Sequence, residues 1–156
     1  MTVRLAETRD IPGIIALLRQ IGGVHYDIRP DIFRADAVKY TPEQVAELLK
    51  NPDKPIFVCD DEGEVAGYCL CQVLRYEGHP VLADRTEIYL DDLCVDENRR
   101  GRGIGHVLYN HAEAYAREIG CRFLTLNVWC GNDGGIRFYE NAGMKNRSII
   151  MEKELC

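Results

Sequence analysis

Arg99-Arg100-Gly101-Arg102-Gly103-Ile104-Gly105 is the stretch on which the reading of this chain turns. It lies between a strand-like run, Glu87 to Val95, and a run with helical spacing, Ile104 to Ile119. Three glycines in five positions remove the side chains that would hold a ligand off the backbone. A helix start offers N–H groups without intrahelical partners, and the aligned peptide dipoles there favour negative charge. A glycine turn that feeds a helix is thus a seat for phosphate or pyrophosphate. Arg99, Arg100 and Arg102 add charge-assisted donors, although a solvated basic turn would use the same residues.

The strand before the turn carries a second signal. Ile88 and Leu90 put the apolar face on even positions, whereas Leu93 and Val95 put it on odd ones. A strand that keeps one face buried can change parity only by inserting a residue, so a β-bulge is expected at Asp91-Asp92. After the turn, Ile104, Val107, Leu108, Ala112, Tyr115 and Ile119 form a helical stripe closed by Gly120. The next strand, Phe123 to Val128, is reached by a helical crossover and should lie parallel to the bulged one. Asn132-Asp133 caps a last helix bearing Ile136, Phe138 and Tyr139, and Ser148 to Met151 reads as a final strand.

Upstream, Thr2 to Ala6 alternates as a first strand. A helix follows through Ile11, Ile14, Ile15, Leu18 and Ile21, with Gly22-Gly23 as its stop. Val24 to Lys39 is irregular around Pro30 and admits either a short helix over Ile32 to Val38 or a loop. Thr41-Pro42-Glu43-Gln44 has the form of a capped helix start, and Asn51-Pro52 ends that helix. Strands Ile56 to Cys59 and Val65 to Tyr76 are joined by a turn at Asp60-Asp61-Glu62-Gly63. The expected class is α/β in the α+β sense: a mostly antiparallel mixed sheet with one parallel strand pair, flanked by helices. The length of 156 residues suits one domain with one core.

A formal net charge of −6 makes nucleic acid a poor partner and a cationic small molecule or peptide a better one. Seven cysteines, mostly in expected strands, fit free buried thiols in a reducing cytoplasm better than a disulfide framework. No leader is expected before Thr2, since the chain runs straight into a strand. No His or Cys cluster has metal-ligand spacing, and no apolar run approaches the ~20 residues of a bilayer crossing, so neither metal nor membrane is expected.

Two motifs together resemble the Gcn5-related N-acetyltransferase (GNAT) superfamily. Arg100-Gly101-Arg102-Gly103-Ile104-Gly105 matches its pyrophosphate motif, after a bulged strand and at a helix start. Asn132 through Phe138-Tyr139 to Gly143 matches its second signature. The resemblance implies a GNAT-like fold whose parallel strands splay apart. It also implies acetyl transfer from acetyl-CoA to a primary amine of a small molecule or peptide, without a metal. The alternative is a non-catalytic acyl-CoA-binding module of the same fold. A homodimer is a further expectation of the family.

The resemblance carries roles to particular residues. Backbone amides of Gly101, Arg102, Gly103, Ile104, Gly105 and His106, with Arg100 beside them, would hold the pyrophosphate. Backbone of Leu93, Cys94 and Val95 would pair with the pantetheine arm, a Leu93 N–H would face the thioester oxygen, and Asn132 would hydrogen-bond the arm. Tyr139 matches the general acid that protonates the leaving thiolate. Asp91 and then Glu87 match carboxylates that could accept the ammonium proton, with Asp92 adjacent. Alternation puts Glu87, Tyr89 and Asp91 on the face of the strand away from the core. The acceptor wall would come from Val24 to Lys39, with His25, Tyr26, Asp27, Asp31 and Phe33. Gly134-Gly135, in the first turn of the last helix, departs from the family pattern.

Overall fold

The computed structural model describes all 156 residues. Strands β1 (Thr2–Leu5), β2 (Ile56–Asp61), β3 (Glu64–Tyr76), β4 (Arg85–Val95) and β5 (Phe123–Leu126) lie side by side in chain order. The first four pair antiparallel, and β4 pairs parallel with β5. Helices α1 (Ile11–Ile28) and α2 (Pro42–Leu49) cover one face, and α3 (Ile104–Glu118) and α4 (Asp133–Asn141) the other. Two apolar layers result: Ile14, Leu18, Val45, Val58 and Tyr68 under α1 and α2, and Phe57, Ile88, Leu90, Ile104 and Leu108 under α3. The mixed sheet with a single parallel pair is the expected class.

Local chemistry accounts for the element boundaries. In the β2–β3 turn, Glu62 and Gly63 both have positive φ, 57° and 88°, as a tight two-residue hairpin loop of the primed kind requires. Thr41 caps α2 by accepting from the Gln44 N–H at 3.2 Å, while the Gln44 side chain accepts from the Thr41 N–H at 2.9 Å. The bulge lies at Asp91. Leu70 opposes Asp92 and Cys71 opposes Leu90, so Asp91 has no partner on β3. Leu93 and Val95 consequently return to the α3 face beside Ile88 and Leu90, while Cys94 joins the α1 layer.

Three expectations are corrected. Gly22-Gly23 does not end the first helix, which continues to Ile28 and stops at Arg29, before Pro30. A Cβ at Gly22 would lie 2.4 Å from the Ala37 carbonyl oxygen, so this glycine admits a close loop rather than a turn. The parallel strand ends at Leu126 and not at Val128, leaving Cys130 exposed in a turn. Ser148 to Met151 is not a strand: residues 145–156 form no element, and Ile149, Ile150 and Met151 are exposed. The segment is tied to the body by ion pairs instead, Arg147 to Glu87 and Glu152 to Arg29. Between Phe33 and Tyr40 the chain is a loop, the second of the two readings left open for that region.

Candidate functional site

Pairing between β4 and β5 runs from Glu87–Phe123 to Leu90–Leu126 and stops there. The bulge at Asp91 therefore coincides with the point where the parallel strands part. Beyond it, the β5-facing edge of Asp91 to Val95 has no strand partner. A cavity of about 430 Å³ fills this opening, walled by Leu90–Leu93 on one side and Leu126–Trp129 on the other.

The glycine turn lies beyond the end of β4. Gly101 and Gly103 have φ of 78° and 76°, a conformation side chains resist, and the space over each is open. Gly103 occupies the N-cap position of α3 without a side-chain cap. The first helical bond runs from the Val107 N–H to the Gly103 carbonyl, which leaves the N–H groups of Ile104, Gly105 and His106 without an intrahelical partner. These features suit a pyrophosphate. Of the three arginines, Arg99 and Arg102 are committed to Asp61 at 3.1 and 2.9 Å, and Arg99 also to Glu64. Arg100 is exposed and has no ion-pair partner, so it alone is free for an anion.

The second motif packs onto the first. A Cβ at Gly105 would lie 3.3 Å from the Phe138 ring, and that ring also stacks obliquely on His106 at 4.7 Å. Phe138 thereby fixes α4 against the start of α3, and its neighbour Tyr139 reaches the cavity. Burial, with Cys69 and Asp92 nearby, raises the Tyr139 phenol above its ordinary value, so it stays protonated. Asn132 also lines the cavity, but its Oδ1 already accepts from the Gly135 N–H at 3.1 Å, leaving its amide donors for a ligand. Cys94, in register with Tyr68 of β3, does not line the cavity. Its thiol is buried in the α1 layer, faces the Leu17 carbonyl at 3.5 Å, and is pushed up to about 12 by burial.

The carboxylates rank differently from the sequence expectation. Glu87 is buried away from the cavity and clamped by Arg85 at 2.5 Å and by Arg147 at 3.0 and 3.1 Å. Burial raises its pKa, but the two guanidinium groups outweigh that and hold it low. It is a structural ion pair rather than a proton acceptor in the cavity. Asp91 and Asp92 both line the cavity. Asp91 is held by Lys39 at 2.8 Å and by the Tyr40 hydroxyl at 3.3 Å. The Asp92 side chain is 7% exposed, against 24% for Asp91, and burial pushes its carboxyl up to about 6 despite Lys39 at 3.5 Å. Of these groups, Asp92 is therefore the one poised between its two forms near neutrality.

On the acceptor side, only part of the expected wall is brought to the cavity. His25 stacks on Phe33 at 5.0 Å, and Phe33 meets Trp129 edge-on at 5.0 Å. Because α1 continues past Gly23, Tyr26 and Asp27 fall on exposed helix positions and do not line the cavity. Asp31 pairs with Arg29 outside it. Tyr89 lines it from the strand face on which alternation placed it, and Lys39 and Trp129 line it without having been named as site residues. Trp129, the only tryptophan, stands just past the strand that follows the glycine turn, which could have marked it. Nearby, the Tyr68 hydroxyl is fully buried without a partner, on the same face of the β3–β4 ladder as Asp92 and one diagonal step away.

Comparisons with known proteins agree with this architecture. A crystal structure of a mutant BH1408 protein from Bacillus halodurans superposes over 100% of both chains with a TM-score of 0.95 and 28% identity. An uncharacterized N-acetyltransferase of Methanocaldococcus jannaschii is 31% identical over 103 residues, which are 66% of this chain and 44% of that protein. The chain thus spans less than half of that relative. Thialysine N-epsilon-acetyltransferase of Bos taurus is 29% identical over 152 residues, covering 92% of this chain and 84% of that one. The profile described as the Acetyltransferase (GNAT) family matches residues 24–144 and takes in the bulge, the glycine turn and the Asn132–Tyr139 helix. The chain belongs to the GNAT family of acetyltransferases.

Proposed function

We propose that this chain transfers an acetyl group from acetyl-CoA to a primary amine by direct attack on the thioester. The observation that carries the reading is the coincidence of bulge, strand separation and cavity. One irregularity opens a backbone edge for the pantetheine arm and brings Asp92 and Tyr139 to the same space. The open amides of the glycine turn, with Arg100 beside them, are suited to the pyrophosphate. The amides of Leu93 and Val95 are suited to the arm, and the Leu93 N–H, next in the chain to Asp92, to the thioester oxygen as charge grows on it.

Asp92 accepts the proton of the incoming ammonium, directly or through water, because a carboxyl near 6 is largely ionised at neutral pH yet basic enough to take it. Tyr139 returns a proton to the departing thiolate, whose free pKa is near the thiol value of ~8.5. The acid pair and the aromatic wall of Phe33 and Trp129 suit a cationic amine on a slim carbon chain. The bovine relative is named for acetylating such an amine, the ε-nitrogen of thialysine.

The test is release of CoA thiol from acetyl-CoA across polyamines, aminoglycosides, amino acids and peptide N-termini, corrected for the chain's own cysteines. Turnover on one class supports the transferase. Acetyl-CoA binding without turnover on any of them supports the acyl-CoA-binding module, and no binding overturns both.

A further inference from the structure

The acid pair at the bulge already holds an amine, and it belongs to the chain itself. Lys39 Nζ lies 2.8 Å from Asp91 Oδ2 and 3.5 Å from Asp92 Oδ2, in the cavity that Tyr139 also lines. It is carried by the loop between α1 and α2, and its side chain is 42% exposed, so it is neither locked in the core nor free in solvent. His25 of α1, Tyr40 of the loop, and Tyr89, Asp91 and Asp92 of β4 complete its titratable surroundings. An acceptor ammonium in the proposed reaction needs this place: beside the proton-accepting carboxylate and one residue from the Leu93 amide.

We infer that Lys39 is an internal acceptor, acetylated on Nζ by acetyl-CoA bound in the same cavity when no better amine is present. The inference rests on the transferase reading above. The step balances. The Lys39 ammonium gives one proton to Asp92 and the free amine attacks the thioester carbonyl. The C–N bond forms, the C–S bond breaks, and the thiolate takes its proton from Tyr139. The second proton shed by the nitrogen restores Tyr139, and Asp92 passes its proton to solvent. The products are an acetylated lysine, free CoA thiol and one proton released to solvent. Acetylation removes the positive charge and leaves Asp91 and Asp92 without their cation, so the modified chain presents an unneutralised acid pair to an incoming amine.

The experiment incubates the whole chain with acetyl-CoA alone and maps acetylation by peptide mass spectrometry, with exposed Lys50, Lys145 and Lys153 as internal controls. The expected result is preferential marking of Lys39 at a first-order rate independent of protein concentration. Tyr139→Phe should slow it roughly 10²-fold, the scale of one general acid, with the control lysines unchanged. Equal marking of all lysines, or a rate that grows with protein concentration, overturns the inference without recourse to any variant. Lys39 left unmarked by acetyl-CoA alone, in a chain that turns over an amine supplied in a separate reaction, overturns it while leaving the transferase intact. Absence of acetyl-CoA binding overturns both.

Discussion

Asp92 carries conflicting demands that make it testable by pH. It is a buried carboxyl raised to about 6, so it favours the protonated folded form. That contribution to stability is fully present below the unfolded value of about 3.9 and is lost as pH climbs through 6. An Asp92→Asn variant mimics the protonated side chain and keeps Asp91 for Lys39. It should be more stable than the parent by about 1–3 kcal/mol at pH 8, with the difference vanishing by pH 4, in thermal melts across that range. The same variant should turn over amines about 10²-fold more slowly and lack the acidic limb near 6 expected of the parent. A variant no more stable at pH 8, or one that retains the limb, would remove Asp92 from this role. Tyr139 is tested differently, because its partners are apolar or aromatic. Tyr139→Phe keeps the ring against Tyr109 and Phe138 and deletes only the hydroxyl. Turnover should fall about 10²-fold, with the acetyl-CoA Kd changed less than about threefold in calorimetry. An equal loss in Kd would mean that the hydroxyl binds rather than protonates.

At the scale of elements, the two glycines that open α4 separate helix stability from site geometry. Gly134 has open space at its Cβ position and no positive φ. Gly134→Ala should raise stability by about 0.5–1 kcal/mol through the unfolded chain's lost freedom and leave activity unchanged. At Gly135 a Cβ would lie 2.7 Å from Asn132 Nδ2, so Gly135→Ala must displace the Asn132 side chain. Acetyl-CoA affinity should fall while the melting temperature changes little, and equal behaviour of the two variants would detach Asn132 from the cleft. The departure from the family pattern at Gly135 is thus explained by room for a neighbouring side chain, which sequence spacing does not show. Gly22 taught the same lesson, since its absent Cβ serves the Ala37 carbonyl across space. What depends on one element's own pattern was legible: the parity change at Asp91, the cap at Thr41, the positive-φ glycines before α3. What depends on a partner from far along the chain was not. Glu87 is silenced by Arg147, and Asp91 and Asp92 share the single cation of Lys39, pairs that no periodicity reveals.

In the whole molecule, the point where the parallel strands part and the cavity are the same place. The ladder is continuous from β1 to the Leu90–Leu126 pair, and then β4 goes on alone on its β5 side. A strand edge exposed within a protein invites another extended chain, and a pantetheine arm offers amide groups at the spacing to occupy it. Acetyl-CoA binding should therefore act like the addition of a short strand. Hydrogen exchange should show the β5-facing amides between Asp91 and Val95, and those from Gly101 to His106, slowing sharply when acetyl-CoA is added. Residues 145–156 make no backbone hydrogen bond, so they should exchange at unprotected rates with or without ligand and serve as an internal control. Native-state binding at a hundredfold excess over Kd should also stabilise the fold by about 2.7 kcal/mol. The local pattern is the decisive part, because uniform slowing reports only that global shift. Protection confined to the glycine turn would mean that the pyrophosphate is held while the arm lies elsewhere, and the opening between β4 and β5 would then need another occupant.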